Sequence, residues 1–190
     1  MASTVSRPVP STGRTTTDRA EVVSRADRLP AAARYLLAAL RVSIGFVFLW
    51  AFLDKTFGLG RATPAENAWL EGGSPTAGFL GNAVSGPFAD AFGSMAGAVW
   101  ADWLFMVGLL GIGVALILGI GMRIAAVTGG LLLVLMWAAV LPPPNNPFMD
   151  DHLVYAMVLA LLVVLNAGDV LGLGRRWRAL PVVRDLPVLH

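Results

Sequence analysis

Four separate stretches of this chain each approach the roughly 20 consecutive apolar residues that a helix needs to cross a bilayer, and this constrains the fold more than any motif. They run over about 34–58, 100–120, 124–141 and 147–167. Only Gly121, Met122 and Arg123 separate the second from the third, and only the run PPPNN (142–146) separates the third from the fourth. Connections this short force antiparallel neighbours. The expected fold is an all-α membrane protein: a four-helix transmembrane bundle, up-down-up-down. Composition agrees, since 56% of the residues are hydrophobic and 14% charged, a contrast outside the soluble globular range.

Residues 1–30 are rich in Ser, Thr, Arg and Pro and poor in aliphatic side chains. Such a stretch cannot bury enough surface to offset its ordering entropy, so it is expected to be a disordered tail. No apolar run precedes Tyr35, so no secretory signal is expected and the first membrane helix serves as its own insertion signal. A second tail is expected over 176–190. Twelve arginines fall on one side of the expected bundle, against Lys55 and Arg61 on the other. Positive residues are retained in the cytoplasm, so both termini are expected there and the basic pI reflects topology rather than nucleic-acid binding. The absence of cysteine excludes disulfides, thiolate-bound metals, iron–sulfur clusters and covalently attached haem. With only His152 and His190, no bound metal or haem is expected, because such sites need several converging ligands.

The segment 61–99 is long for a connection and is expected to form an outer cap of short amphipathic helices. TPAE at 63–66 has the form of a capping box, and Gly72–Gly73 ends a short helix after Trp69. Phe88, Phe92, Met95 and Val99 recur at spacings of four, three and four, one stripe of a single helix lying on the membrane or the bundle. Within the spans, Gly111, Ala115 and Gly119, together with Ala125/Gly129 and Ala126/Gly130, have the four-residue spacing that lets helices approach closely in lipid. No glycine-rich stretch follows a strand, so a dinucleotide fingerprint is absent.

Ionisable groups in a membrane span are costly, which makes each a candidate for function. Arg41 lies about seven residues into the first segment, roughly 10 Å of helical rise, where it either snorkels to the headgroups or serves the interior. Asp54 and Lys55, adjacent near the outer end of the same helix, point in different directions, so Lys55 can reach outward while Asp54 turns inward. At the fourth helix Asn146 reads as the N-cap with Pro147 at the first helical position. Asp150 and Asp151 follow in the first turns, where the helix dipole favours negative charge. Asp151, His152 and Tyr155 share one broad face, and the topology puts it at the depth of Asp54 and Lys55. One constellation beneath the cap is therefore expected. A carboxylate beside His152 suits proton transfer near neutral pH; the other reading is a hydrogen-bond network that locks the helices.

LRVSIGFVFLWAFLDKTFGLG at 40–60, WLEGGSPTAGFL at 69–80 and NNPFMDDHLVYA at 145–156 resemble the DoxX/DoxD family of small four-helix membrane proteins, over about residues 35–175. That family includes the membrane subunit of thiosulfate:quinone oxidoreductase. The resemblance implies a multi-pass protein of the bacterial cytoplasmic membrane, 31–175 being its membrane domain, with quinone as substrate. It places the site among Arg41, Asp54, Lys55, Asn145, Asn146, Asp151 and His152. On this reading Asp54, Asp151 and His152 are catalytic, and Arg41, Lys55, Asn145, Asn146 and Tyr155 hold quinone or substrate. A DoxA-type component would be a separate partner, and homo-oligomerisation stays open. The rival readings are a non-catalytic membrane scaffold or assembly subunit and, least favoured for want of polar positions lining a path, transport of protons or a small solute.

Overall fold

The computed structural model describes residues 24–189, and all of its regular structure is helical. The first long helix, α1 (Ala31–Phe57), ends where Gly58 takes a left-handed conformation and its N–H bonds back to the Asp54 carbonyl. Two 3₁₀ turns, Ala65–Asn67 and Trp69–Glu71, lead to the short helices α2 (Ala77–Asn82) and α3 (Ala89–Gly93). Then come α4 (Val99–Leu118), α5 (Met122–Ala139) and α6 (Asp151–Val164), and finally α7 (Gly174–Arg178) and α8 (Pro181–Arg184). Among the described residues three helices, α1, α4 and α5, are long and apolar enough to cross a membrane, whereas α6 is apolar but only 14 residues long.

The helices pair antiparallel, in a register set by side-chain size. Gly45 on α1 lies against Leu116 and Ile117 near the end of α4, and Gly113 lies against Leu49. A Cβ at Gly113 would stand 2.8 Å from the Leu49 nitrogen, so this crossing admits only glycine. Gly129 of α5 faces Leu159 of α6 and Ile112 of α4, which joins the two halves. Between them lies a core of Leu37, Ile44, Phe48, Met106, Leu109, Ile112, Leu116, Leu133, Leu159 and Leu162. The outward faces are also apolar: Val107, Val127, Leu131, Met157 and Val164 are exposed. A helix apolar all round is suited to lipid on its outer face.

The expected small-residue contacts are therefore only partly realised. Gly129 makes its close approach, but a Cβ on Gly111 or Gly130 would meet nothing within 4 Å. Gly119 instead ends α4 in the left-handed region at φ 74°. The outer cap differs as well. Thr63 makes no capping bond, and Pro64 precedes a 3₁₀ turn rather than starting an α-helix. The Phe88–Val99 stripe is broken into a 3₁₀ turn, α3 and a turn at Gly97, whose φ of 73° interrupts any continuous helix. Gly72 does end the turn after Trp69, in the left-handed region.

Both expected tails prove partly packed. Of 1–30, the part within the described residues forms a 3₁₀ turn at Arg25–Arg28 with Ala26 fully buried; the rest lies outside them. Ser24 donates to Asp169 (2.6 Å), Arg25 to the Val164 carbonyl (3.1 Å), and Arg175 to Asp27. At the other end Val183 is buried and the Trp177 indole N–H donates to the Leu189 carbonyl (2.6 Å). Composition hid this, because the order comes from polar bonds to distant carbonyls and carboxylates rather than from local apolar content.

Candidate functional site

At the end of the molecule where α4 stops, Arg41 is fully buried. One guanidinium nitrogen donates to the Leu116 carbonyl and to that of Ile117 (2.8 Å), the other to those of Val170 (3.2 Å) and Leu171 (3.1 Å). The last carbonyls of a helix have no partner within it and carry its negative dipole end, so a buried cation satisfies both needs there. Gly119 and Gly172 leave the space, since a Cβ on either would lie 3.1 Å from the guanidinium. Leu171 takes a left-handed φ of 49°, an uncommon conformation for leucine, in the segment that turns its carbonyl to the guanidinium. Arg41 thus does not snorkel; both its terminal nitrogens are spent on backbone carbonyls, while its buried Nε has no hydrogen-bond partner among the described residues.

Asp54 is likewise buried, and its two oxygens accept the backbone N–H groups of Arg61 (3.2 Å) and Ala62 (3.0 Å). It holds the chain as it leaves α1. Its neighbour Lys55 extends toward the Phe105 ring, 5.9 Å from nitrogen to centroid.

The start of α6 departs from the expected caps. Asn146 is not the N-cap: its side chain accepts from the N–H groups of Phe148 (3.0 Å) and Met149 (2.9 Å) and closes an Asx turn. The N-cap is Asp150, which accepts from the Leu153 N–H (3.2 Å) and whose other oxygen lies 2.7 Å from His152 Nδ1. The carboxylate that orients His152 is therefore Asp150 rather than Asp151. Asp151 stands 3.6 Å away with its side chain 70% exposed. An extended Asp150 places its side chain over the first turn, where it reaches N3 and the ring together. Donor atoms of Asp150, Asp151 and His152 lie within 4.8 Å of one another, but Asp150 is already engaged twice. Tyr155 packs part-buried against the core, and Asn145 is exposed. Among the described residues no hydrogen bond or ion pair links Asp54 or Lys55 to Asp151, His152 or Tyr155. The members of the expected constellation are thus bonded to different partners, Asp54 to the chain after α1 and His152 to Asp150.

A large concave feature lies elsewhere. A groove of about 700 Å³ runs between α4 and α5 from the cap to the opposite end of the molecule. Phe79, Leu80, Phe92 and Met95 roof it, Leu104, Gly108 and Gly111 line one wall, Ile124, Leu131 and Leu135 the other, and Ile120 and Trp177 lie at the far end. Its volume falls in the range of small-molecule pockets, about 300–1,000 Å³. None of the eight candidate residues named from sequence lines it. The open Cβ positions of Gly108 and Gly111 show that these glycines widen the groove rather than tighten a helix crossing.

Its one concentrated polar feature is at the cap end. Thr76 lines the groove, and Asp102, buried in the first turn of α4, accepts from Ser74 Oγ (2.9 Å), Thr76 N (3.0 Å) and Thr76 Oγ1 (2.6 Å), all through Oδ1. The sequence reading singled out neither Asp102 nor Thr76 as a site residue. The available signal was an acid within the first turn of an apolar helix, which needs a partner when buried. Around this end cluster Trp69 and Trp103, edge to face at 4.7 Å, and Trp137, whose indole donates to the Phe148 carbonyl (2.7 Å). Aromatic rings with one polar atom are enriched where a membrane meets water.

Comparison with protein-family models, with curated proteins and with solved structures finds no match.

Proposed function

We propose that this protein is a multi-pass membrane subunit of a quinone-linked oxidoreductase, with α1, α4, α5 and α6 crossing the bilayer as an up-down-up-down bundle and both chain ends on the cytoplasmic side. The observation that carries the reading is the α4/α5 groove: it is long, apolar and of small-molecule size, as an isoprenoid tail requires. The Thr76 hydroxyl at the cap end donates its proton to Asp102, which leaves its oxygen lone pairs to accept from the hydroxyl of a reduced quinol head. The resemblance of 40–60, 69–80 and 145–156 to DoxX/DoxD proteins points the same way and makes thiosulfate the first donor to try. Electron transfer would belong to a separate partner, since the chain has no cysteine to hold a cluster.

A second reading, a scaffold without chemistry, draws on Arg41 and Asp54, whose terminal guanidinium nitrogens and carboxylate oxygens are bonded to backbone groups. The experiment that separates the two is labelling of the full chain in lipid vesicles by a photoreactive isoprenoid quinone. Labels on α4 and α5, with a loss of about ten-fold in Gly111→Leu and none in Gly130→Leu, are expected, because a tail and a leucine side chain compete for one space. Both glycines have open Cβ positions, so neither substitution meets a neighbour at its first side-chain carbon. Labelling unaffected by Gly111→Leu would sink the quinone reading. Thiosulfate-driven quinone reduction in membranes with the chain deleted, restored, or restored as His152→Ala then tests the donor and the proton-transfer role of the Asp150–His152 pair.

A further inference from the structure

The end of the molecule that holds Arg41 carries charge and apolar surface side by side. Residues 24–41, 119–123 and 165–189 contain nine arginines and three aspartates. Two of the three are consumed internally: Asp169, its side chain fully buried, by Ser24 and Arg178, and Asp27 by Arg175 and Arg34. The third, Asp185, is exposed and pairs at 3.5 Å with Arg184 of its own helix end. Arg28 and Arg176 are exposed with no partner among the described residues. Beside them α7, α8 and the connecting turns expose Leu171 (75%), Leu180, Val182 (69%), Leu186 and Val188. Trp177 points the other way, with its indole bonded and its ring in the groove.

This pairing of exposed aliphatic side chains with free guanidinium groups has one natural environment. Water would leave the aliphatic side chains uncovered. A hydrocarbon interior would strand the arginines. The boundary between acyl chains and headgroups serves both, and short amphipathic helices rich in arginine lie there. We infer that α7, α8 and the Arg25–Arg28 turn form a collar in the headgroup layer that binds anionic phospholipid, with phosphates held by Arg28 and Arg176 and acyl chains laid against Leu171, Val182 and Val188. A planar guanidinium grips a phosphodiester with two parallel hydrogen bonds. The charge also selects: a juxtamembrane arginine favours an anionic over a zwitterionic lipid by about five-fold. The buried Asp169 carboxylate and the part-exposed Asp27 pairs tie the collar to the turn after α6 and to α1, so the lipid meets a preformed surface.

The inference rests on the membrane-spanning reading, and spin resonance of spin-labelled lipids tests the two apart. With the full chain in mixed vesicles, an immobilised boundary population is expected for phosphatidylcholine and phosphatidylglycerol labels alike; its absence for both would overturn the spanning reading. Given that population, a preference for phosphatidylglycerol of about five-fold at low salt is expected, falling below about two-fold in Arg28→Gln/Arg176→Gln and at high salt, where exposed charges are screened. Arg61→Gln, at the other end, should leave the preference unchanged. Equal association of the two lipids with the unmodified chain, or a preference that survives the double substitution, would overturn the collar. Both arginines are exposed and unpaired, so their loss leaves the fold in place.

Discussion

Arg41 is the residue on which the most structure converges. Its side chain closes the carbonyl ends of α4 and of the turn after α6 with four hydrogen bonds. Each bond from a charged donor is worth about 1.5–3 kcal/mol, and orphaning buried carbonyls adds a desolvation cost. Arg41→Met is therefore expected to lower stability by about 3 kcal/mol in detergent or vesicle unfolding. Arg41→Lys should recover only part of this, since an ammonium is a compact group with three donors and lacks the planar fork that spans two pairs of carbonyls. Unchanged stability in Arg41→Met would mean that the cradle carries no energy. The sequence made the cost of Arg41 visible but left two outcomes open, because its partners are backbone carbonyls 75 to 130 positions away that no side-chain pattern encodes. The start of α6 was misplaced for another reason: Asn146 followed by Pro147 has the form of an N-cap and first helical residue, but Asn146 closes a turn and the extended Asp150 caps the helix.

At the scale of helices, two glycines a pair of positions apart on α4 play opposite roles. Gly113 sits at the crossing with α1, where backbone stands 2.8 Å from a would-be Cβ, whereas Gly111 faces the open groove. Gly113→Ala must push α1 and α4 apart and is expected to cost about 1–3 kcal/mol. Gly111→Ala adds a methyl to empty space and gains helix propensity, an increase of up to about 1 kcal/mol. Opposite signs in thermal unfolding of the two variants would establish the crossing; equal losses would refute it. The same contrast shows what periodicity can and cannot reveal. A long apolar run marks α1, α4 and α5, whose composition alone demands burial or lipid. A four-residue spacing of small residues does not say which face meets a helix and which meets a cavity. Gly45, the partner of Gly113, drew no notice because it stands alone among large side chains.

At the scale of the whole molecule, the absence of cysteine makes topology directly testable. Single replacements Arg184→Cys and Glu71→Cys lie at exposed positions at opposite ends. An impermeant maleimide is expected to label one of them from outside intact cells and the other only after lysis, position 71 being the outer one on the charge asymmetry. Labelling of both from the same side would refute a chain that threads the bilayer. The antiparallel pairing of α4 with α5 and of α5 with α6 was legible from connection lengths, whereas the groove was not: it arises where α4 and α5 part below the cap. Helix length has a further consequence. At 27, 20, 18 and 14 residues, α1, α4, α5 and α6 rise about 40, 30, 27 and 21 Å, against a hydrocarbon layer of about 30 Å. On the proposed reading, in which all four cross the bilayer, the protein would be a wedge in apolar thickness: beside α6 the two leaflets would draw together, and beside α1 the helix would tilt or the leaflets swell. Such an object would bend the membrane's thickness around itself, and two copies would lower that distortion by bringing their thin edges together, an attraction that needs no contact between their side chains.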